Sequence, residues 1–305
     1  MRIVGRGLQL INLRGDMGAA DASAAFDRQI RAFGREGQAL LSQLRVGIAG
    51  VGGTGSSVCE QLVRLGVKAI TVADDDVVDE TNLTRIYGAG RADIGKPKVQ
   101  LAAENAARTG LGASVIPIQG RVTNEAVARR LRHCDIIFGC TDDNAGRAVL
   151  SRLAYWYLIP VIDMGFVITS ADGAVTGLYG RVTTIGPGSA CLLCRGRIDP
   201  EFARAEMLRP EERASLVDEG YAPGLGEPDP SVVAYTTMTA SAAVAEMLER
   251  LIGFGSANPP NELLLRVHDR KVSHLSGRSR PGHYCADPAA WGHGDTEPFL
   301  GQVWT

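Results

Sequence analysis

The sequence is short of the features that would place it in a membrane, a secretory route or a disulfide-stapled scaffold. No apolar run approaches the roughly 20 residues a helix needs to cross a bilayer, and the N-terminus lacks the basic and then apolar segments of a signal peptide. A cytoplasmic location without membrane attachment is the resulting expectation. Cysteine is sparse, six in 305 residues, and only one pair has C-x-x-C spacing. In a reducing compartment that points to metal or catalysis before a disulfide framework. A formal charge of -2 supplies no broad field for nucleic acid or an anionic membrane, so phosphate chemistry has to be local. With 45% hydrophobic and 22% charged residues the chain is neither disordered nor fibrous, and it can bury one large core or two modest ones.

Against these absences stands one dense stretch, Arg45 to Ser57, around which the rest is arranged. Val46 to Ala49 read as a buried parallel strand, and Gly50, Gly52, Gly53 and Gly55 crowd the turn before an amphipathic run beginning near Ser56. Glycine lets bare backbone approach a ligand, and the helix that follows offers unpaired N–H groups and a positive dipole end to a phosphate. A nucleotide is therefore expected. Gly50-x-Gly52-x-x-Gly55 fits the dinucleotide fingerprint, and Asp74-Asp75-Asp76 ends the next strand about where a ribose carboxylate belongs, so an NAD-dependent oxidoreductase is a rival reading. A phosphate-loop NTPase is excluded, because Gly55 is followed by Ser56-Ser57 and not by a Lys-Ser/Thr pair.

Taken in order, residues 1–25 show no period and read as an N-terminal arm or edge strand. Phe26 to Leu44 has helical spacing, interrupted near Gly34 and Gly37, and carries Arg28. Strand, helix and strand then alternate: Val67 to Ala73 is the second strand, Ala113 to Ile118 the third, Asp135 to Gly139 the fourth and Pro160 to Asp163 the fifth. This rhythm means a parallel sheet. The segment from Val77 to Gly95 is long and polar for a strand-to-helix connection, which marks it as functional. Lys96-Pro97-Lys98 opens the helix that follows, and cations at that end of a helix dipole call for compensation, which a bound polyphosphate would supply. Ligands of open parallel sheets sit beyond the carboxyl ends of the strands, so Asp74, Asp142 and the glycine turn are expected to converge, with magnesium on the carboxylate edge. Asp142 or Asp143 as a simple helix cap is the alternative.

Beyond Asp163, alternation in Ala174 to Ile185 and turns at Asp172-Gly173 and Gly186-Pro187-Gly188 indicate antiparallel strands. Residues 196–230, rich in charge, proline and glycine, read as a flexible crossover loop. Ser231 to Ile252 reads as a long helix, and Leu263 to Val267 with Lys271 to Leu275 as a closing hairpin. Residues 276–305 look like a tail with little core. The fold class expected is thus α/β, Rossmann-like, with a mostly parallel sheet extended by antiparallel strands. Cys191-x-x-Cys194 can direct two thiolates at one point, and His283 and Cys285 in the tail would complete a zinc site that tethers it; two buried small side chains with an unrelated Cys285, and a redox pair, are the alternatives. Cys59, Cys134 and Cys140 fall on strand or helix positions and read as core.

The glycine turn, Asp74, Asn82-x-x-Arg85, Pro97-Lys98, Cys140-Thr141-Asp142 and the C-x-x-C pair, in this order over about residues 26–275, resemble the ThiF/MoeB/HesA family of adenylyltransferases related to ubiquitin-activating enzymes. The resemblance implies an adenylation domain over 26–275 that binds ATP and Mg2+, with Gly50, Gly52, Gly53, Gly55, Asp74 and Asp76 around the nucleotide. It further implies that Asn82, Arg85 and Lys98 grip phosphates, that Asp142 organises magnesium and the attack, and that Arg28 is lent to the opposite subunit of a homodimer. The implied reaction joins the C-terminal carboxylate of a ubiquitin-like or sulfur-carrier protein, usually ending in Gly-Gly, to AMP and releases pyrophosphate. Two departures stand out: there is no second C-x-x-C, and the crossover loop holds no cysteine, which makes a thioester step doubtful. An activating enzyme serving a conjugating or sulfur-transfer partner, and adenylation of a peptide or a tRNA base, remain as variants, the neutral charge speaking weakly against tRNA.

Overall fold

A computed structural model describes residues 2–4, 10–12, 24–208, 211–213, 230–255, 258–302 and 304. Two short strands, β1 (Arg2–Val4) and β2 (Leu10–Asn12), pair antiparallel within the arm. The rest of residues 1–23 lies outside the described residues, as do residues 209–210 and 214–229 of the expected crossover loop. Helix α1 (Asp27–Gln43) runs as two pieces across Gly34, whose φ of 75° and ψ of 168° break the helical ladder where the sequence placed an interruption.

Five strands form the parallel core: β3 (Arg45–Ala49), β4 (Ala69–Asp74), β5 (Ser114–Gln119), β6 (Ile136–Gly139) and β7 (Val161–Ala171). Their order across the sheet is β5-β4-β3-β6-β7, so the direction of winding reverses between β3 and β6. Three antiparallel strands, β8 (Ala174–Ile185), β9 (Glu262–Arg266) and β10 (Lys271–His274), extend the sheet beyond β7 to eight. The turn from β7 to β8 has positive φ at both Asp172 (52°) and Gly173 (77°), the two-residue hairpin geometry that matches strand twist. β7 is longer than expected because it passes out of the parallel core and continues as the first arm of this hairpin.

Helices cover both faces. On one side α2 (Gly53–Arg64), α3 (Lys98–Arg108) and α7 (Val233–Ile252) pack with α1 over Val46, Ile48, Ile70 and Val72. On the other, α4 (Glu125–Leu131) and α5 (Asn144–Trp156) enclose Ile137, Leu150, Leu153 and Val161, and α6 (Pro200–Glu206) lies against α5. Each fully buried Leu or Ile contributes about 2 kcal/mol from surface removed from water, so the two layers fix the sheet that presents the strand ends. Residues 276–302 differ from the coreless tail expected, since Phe299 and Leu300 are buried in the second layer with Cys285. The scattered aromatic residues of the tail gave no period from which this docking could be read.

Candidate active site

The site is built at the reversal point, where β3 and β6 part. Gly50 leaves β3 with φ of 88°, and a Cβ there would stand 2.6 Å from the Cys140 carbonyl oxygen, so the loop after β6 closes directly on the glycine turn. Gly55 is still more confined, since its Cβ would meet the Gly50 carbonyl oxygen at 1.9 Å. Gly52 has open space within 4 Å. Helix α2 starts at Gly53, inside the turn and three residues before the amphipathic run suggested, so the glycines themselves present the first N–H groups of the helix.

Asp74 ends β4 and holds the turn from the other side. Its carboxylate accepts from the Val51 amide at 2.6 Å and from the Asp76 amide at 2.9 Å. Burial raises its pKa, while these amides and the charge of Lys98 pull the other way. The long connection contains a 3-10 turn, Glu80–Thr84, capped by Asp79, whose carboxylate takes the Asn82 amide at 3.0 Å. Asn82 is buried at 2% exposure and its side-chain oxygen has no hydrogen-bond partner. Arg85 follows, anchored by donation to the Thr81 carbonyl at 2.8 Å, and its Cδ lies 3.4 Å from where a Gly53 Cβ would stand. Its side chain therefore reaches over the start of α2.

Lys98 opens α3 and is 8% exposed. The counter-charge that the sequence reading sought in a polyphosphate is present in the chain itself, since Lys98 Nζ lies 2.7 Å from Asp76 Oδ2. Lys96 is satisfied separately by Asp93 and Glu104. At the end of β6, Asp143 is the cap, accepting from the Gly146 amide and from Thr141 Oγ1, while Asp142 is exposed and its carboxylate has no partner among the described residues. That division of labour answers the cap alternative: one carboxylate caps and the other stays free. A lone exposed carboxylate is a donor of the type magnesium takes, since that ion binds through one or two carboxylates with substrate oxygens and water. The structure thus brings Asp74, Arg85, Lys98 and the Asp142 loop around the glycine turn; Arg28 stands apart, exposed on α1 and without a hydrogen bond or ion pair among the described residues.

A second centre lies by the C-terminal end of α5, where Tyr284 packs on Tyr155 and Trp156. The ligand atoms of Cys191, Cys194, His283 and Cys285 fall within 4.8 Å of one another. His283 Nδ1 stands 3.6 Å from Cys191 Sγ, 3.5 Å from Cys194 Sγ and 3.2 Å from Cys285 Sγ, and the sulfurs of Cys194 and Cys285 are 3.6 Å apart. A tetrahedron with Zn–S near 2.3 Å and Zn–N near 2.0 Å has edges of about 3.5–3.8 Å, so the donor set fits zinc in type, number and spacing. His293, near this set in sequence, instead packs at a tilt against Trp156, with ring centroids 5.9 Å apart. The remaining cysteines behave as core: burial pushes the thiols of Cys59 and Cys134 up to about 12 and that of Cys140 higher still.

Sequence reasoning missed residues behind the site. Asp199 caps α6 through the Glu201 and Phe202 amides and donates its own amide to Asn144 Oδ1. Glu206 then takes the Ala145 amide at 2.7 Å, so the start of the crossover forms a helix clamped to the head of α5. Asp199-Pro200 followed by Glu201 was the available signal, a cap residue with proline at the first helical position. Arg147, Arg181 and buried Asp163 were missed too, because ion pairs across elements leave no spacing in a sequence.

A family profile described as ThiF family matches residues 26–279. The chain belongs to the ThiF family. A molybdopterin-synthase adenylyltransferase of Salmonella typhimurium is 30% identical over 182 residues, 58% of this chain and 70% of that protein. The SAMP-activating enzyme E1 of Haloferax volcanii is 30% identical over 161 residues, 53% of this chain and 56% of the relative, and the sulfur carrier protein ThiS adenylyltransferase of Bacillus subtilis is 31% identical over 165 residues, 53% and 46%. The matched stretch thus spans between 46% and 70% of these relatives' lengths. Among solved structures, that of E. coli MccB with ATP superposes with a TM-score of 0.64 at 18% identity, covering 85% of this chain and 73% of that one, which supports the fold alone. Membership decides against the oxidoreductase reading of the glycine turn. The Salmonella and Bacillus relatives are named adenylyltransferases and the Haloferax relative an activating enzyme. No helix among the described residues is long and apolar enough to cross a membrane.

Proposed function

We propose that the chain uses ATP to adenylate the C-terminal carboxylate of a ubiquitin-like or sulfur-carrier protein, with a flexible tail ending in Gly-Gly as the segment that reaches the site. The acceptor carboxylate oxygen attacks the α-phosphorus, an acyl phosphate mixed-anhydride bond forms, and the bond from the α-phosphorus to the oxygen bridging to the β-phosphate breaks. Pyrophosphate leaves with the electron pair. The observation that carries this reading is the placing of Arg85 over the head of α2 and of Lys98 at the head of α3, on one side of a glycine turn whose other wall is the Asp142 loop. Cations so held stabilise phosphate charge as it develops, and no side-chain nucleophile is needed.

In this reading Gly50, Gly53 and Gly55 let the turn close tightly and Gly52 leaves room for the phosphates, Asp74 and Asp76 line the ribose side, and Asn82 supports the turn that carries Arg85. Lys98 exchanges Asp76 for a phosphate oxygen. Asp142 would hold Mg2+, which supplies charge neutralisation at the phosphates when bound. Zinc at Cys191, Cys194, His283 and Cys285 would be structural, since four protein donors leave no open position. Arg28, exposed and unpaired, is free to reach the nucleotide of a second copy in a homodimer in the cytoplasm. The named activities of the relatives support the choice of acceptor class. Cys59 and Cys134 are buried and Cys140 is half-buried, and the raised thiol pKa of each speaks against a thioester on any of them.

The test is exchange of labelled pyrophosphate into ATP in the presence of candidate Gly-Gly-ending proteins from the same cell. Exchange should require one of them, and Asp142→Ala should abolish it while leaving the circular dichroism spectrum unchanged. Full exchange by Asp142→Ala would refute the role given to that carboxylate.

A further inference from the structure

Asp142 is exposed at the end of a loop, yet a group that must meet a metal-bound triphosphate needs a fixed position. Its carboxylate has no partner, so the fixing has to come through the backbone. One contact does this from the side: Arg147 Nη1, one turn into α5, reaches back to the Asp142 carbonyl at 3.3 Å. Arg147 is itself held from below. Its Nε lies 3.6 Å from Asp163 Oδ1 and Arg181 Nη2 lies 2.7 Å from Asp163 Oδ2, ion pairs that hold by charge, since neither Asp163 oxygen nor Arg147 Nε makes a hydrogen bond among the described residues.

Asp163 is fully buried on β7, in register with Gly139 at the end of β6 and with Thr183 on β8. Both guanidinium groups lie over Gly165, where a Cβ would stand 3.3 Å from Arg181 Nη2 and 3.5 Å from Arg147 Nη2. The second arginine is fixed in turn, donating to Thr183 Oγ1 at 2.6 Å, and that hydroxyl donates to buried Glu262 at 2.8 Å. The bland account is a buried ion cluster that merely holds the sheet together. That account is weak on energetics, because burying a carboxylate costs several kcal/mol and an apolar side chain on β7 would serve as well. It also gives no reason for Arg147 to turn toward the Asp142 carbonyl.

We propose that Arg147 is a positioning residue for Asp142, with Asp163 as its anchor and Arg181 completing the charge balance. The inference rests on the functional reading above. Arg147 does not touch the nucleotide; it sets the loop so that the Asp142 carboxylate meets the magnesium of MgATP.

The experiment is equilibrium binding of a fluorescent ATP analogue to the full chain, with Mg2+ and with EDTA, for the wild type, Asp142→Asn, Arg147→Gln, Asp163→Asn and the Asp142→Asn/Arg147→Gln pair. Magnesium should tighten binding to the wild type, and Asp142→Asn should lose that gain. Arg147→Gln should lose about as much of it as Asp142→Asn, with affinity in EDTA within twofold of wild type, and the double variant should be no weaker than Asp142→Asn alone. Asp163→Asn should follow Arg147→Gln, and Arg147→Lys should not rescue, because an ammonium cannot span both partners. A magnesium gain that survives in Arg147→Gln but not in Asp142→Asn overturns this proposal and leaves the functional reading standing. So do losses that multiply in the double variant or appear equally in EDTA, which mark a purely structural role. A gain that survives in Asp142→Asn, or a wild type that binds no ATP, overturns the functional reading and this proposal with it.

Discussion

Gly55 and Gly52 separate two jobs that one glycine motif performs. A Cβ at Gly55 would lie 1.9 Å from the Gly50 carbonyl oxygen, a backbone clash that the turn cannot relieve, whereas a Cβ at Gly52 meets nothing within 4 Å. Gly55→Ala is therefore expected to destabilise the chain by about 2 kcal/mol or more, through overpacking and backbone shift. Gly52→Ala should melt within a degree or two of wild type and weaken ATP binding at least tenfold, since its methyl would project where phosphate approaches. Thermal melts and nucleotide titrations of the two variants check this. Glu206 gives a pH signature. Its pKa is raised, first by burial and then by Asp143, so its ionisation opposes folding: stability from this group is fully present below the ordinary glutamate pKa and is lost as pH rises through the higher folded value. Glu206→Gln keeps an acceptor for the Ala145 amide without the charge, so it should melt above wild type at pH 7 and match it near pH 3.5, as melts across that range would reveal. The glycines, Asp74 and Asp142 were legible as residues because spacing and strand ends announce them. Arg147 and Asp163 were not, because their meaning lies in a contact between α5 and β7.

Among the elements, the segment after β10 shows how a weak sequence signal becomes an ordered piece of structure. It is held at one end by the His283 and Cys285 donors and at the other by Phe299, on which Arg129 stacks at 4.1 Å while also pairing with Glu297 at 2.7 Å. Between them Tyr284 packs edge-on against Tyr155 and Trp156 of α5. Purified protein should carry close to one zinc per chain. Cys285→Ser should remove the metal, open residues 276–302 to protease, and lower the melting temperature by roughly 5–10 °C, since a loss of a few kcal/mol moves a chain of this size by about that much. Metal analysis and limited proteolysis settle the point; a metal-free wild type with a protected tail would mean the aromatic packing suffices. The ligand types could be read from sequence, and the extent of the docking could not, for want of a hydrophobic period. The opening of the crossover was misjudged for a similar reason. Its charge and proline suggest a loop, whereas the Asp199 cap makes 200–206 a helix.

At the scale of the whole molecule, the alternation of strands and helices specified a parallel sheet well, since each buried strand needs a covering helix and a right-handed return. What alternation leaves open is the order of strands, and it is that order, β3 beside β6, that brings Gly50 against Cys140. Arg28, exposed on α1, belongs to this scale because the role proposed for it runs through another copy. Arg28→Ala and Asp142→Ala chains, each inactive alone, should regain up to about a quarter of wild-type exchange when mixed and allowed to form heterodimers, as one of the two sites in each mixed dimer is then intact. Failure of complementation by dimers shown to have mixed would remove Arg28 from the site. The account as a whole depends on the triphosphate lying over the glycine turn. The most direct measurement is a crystal structure with MgATP: Arg85 and Lys98 should each lie within hydrogen-bond distance of phosphate oxygens, Lys98 having left Asp76. A nucleotide bound with its phosphates away from both cations would contradict it.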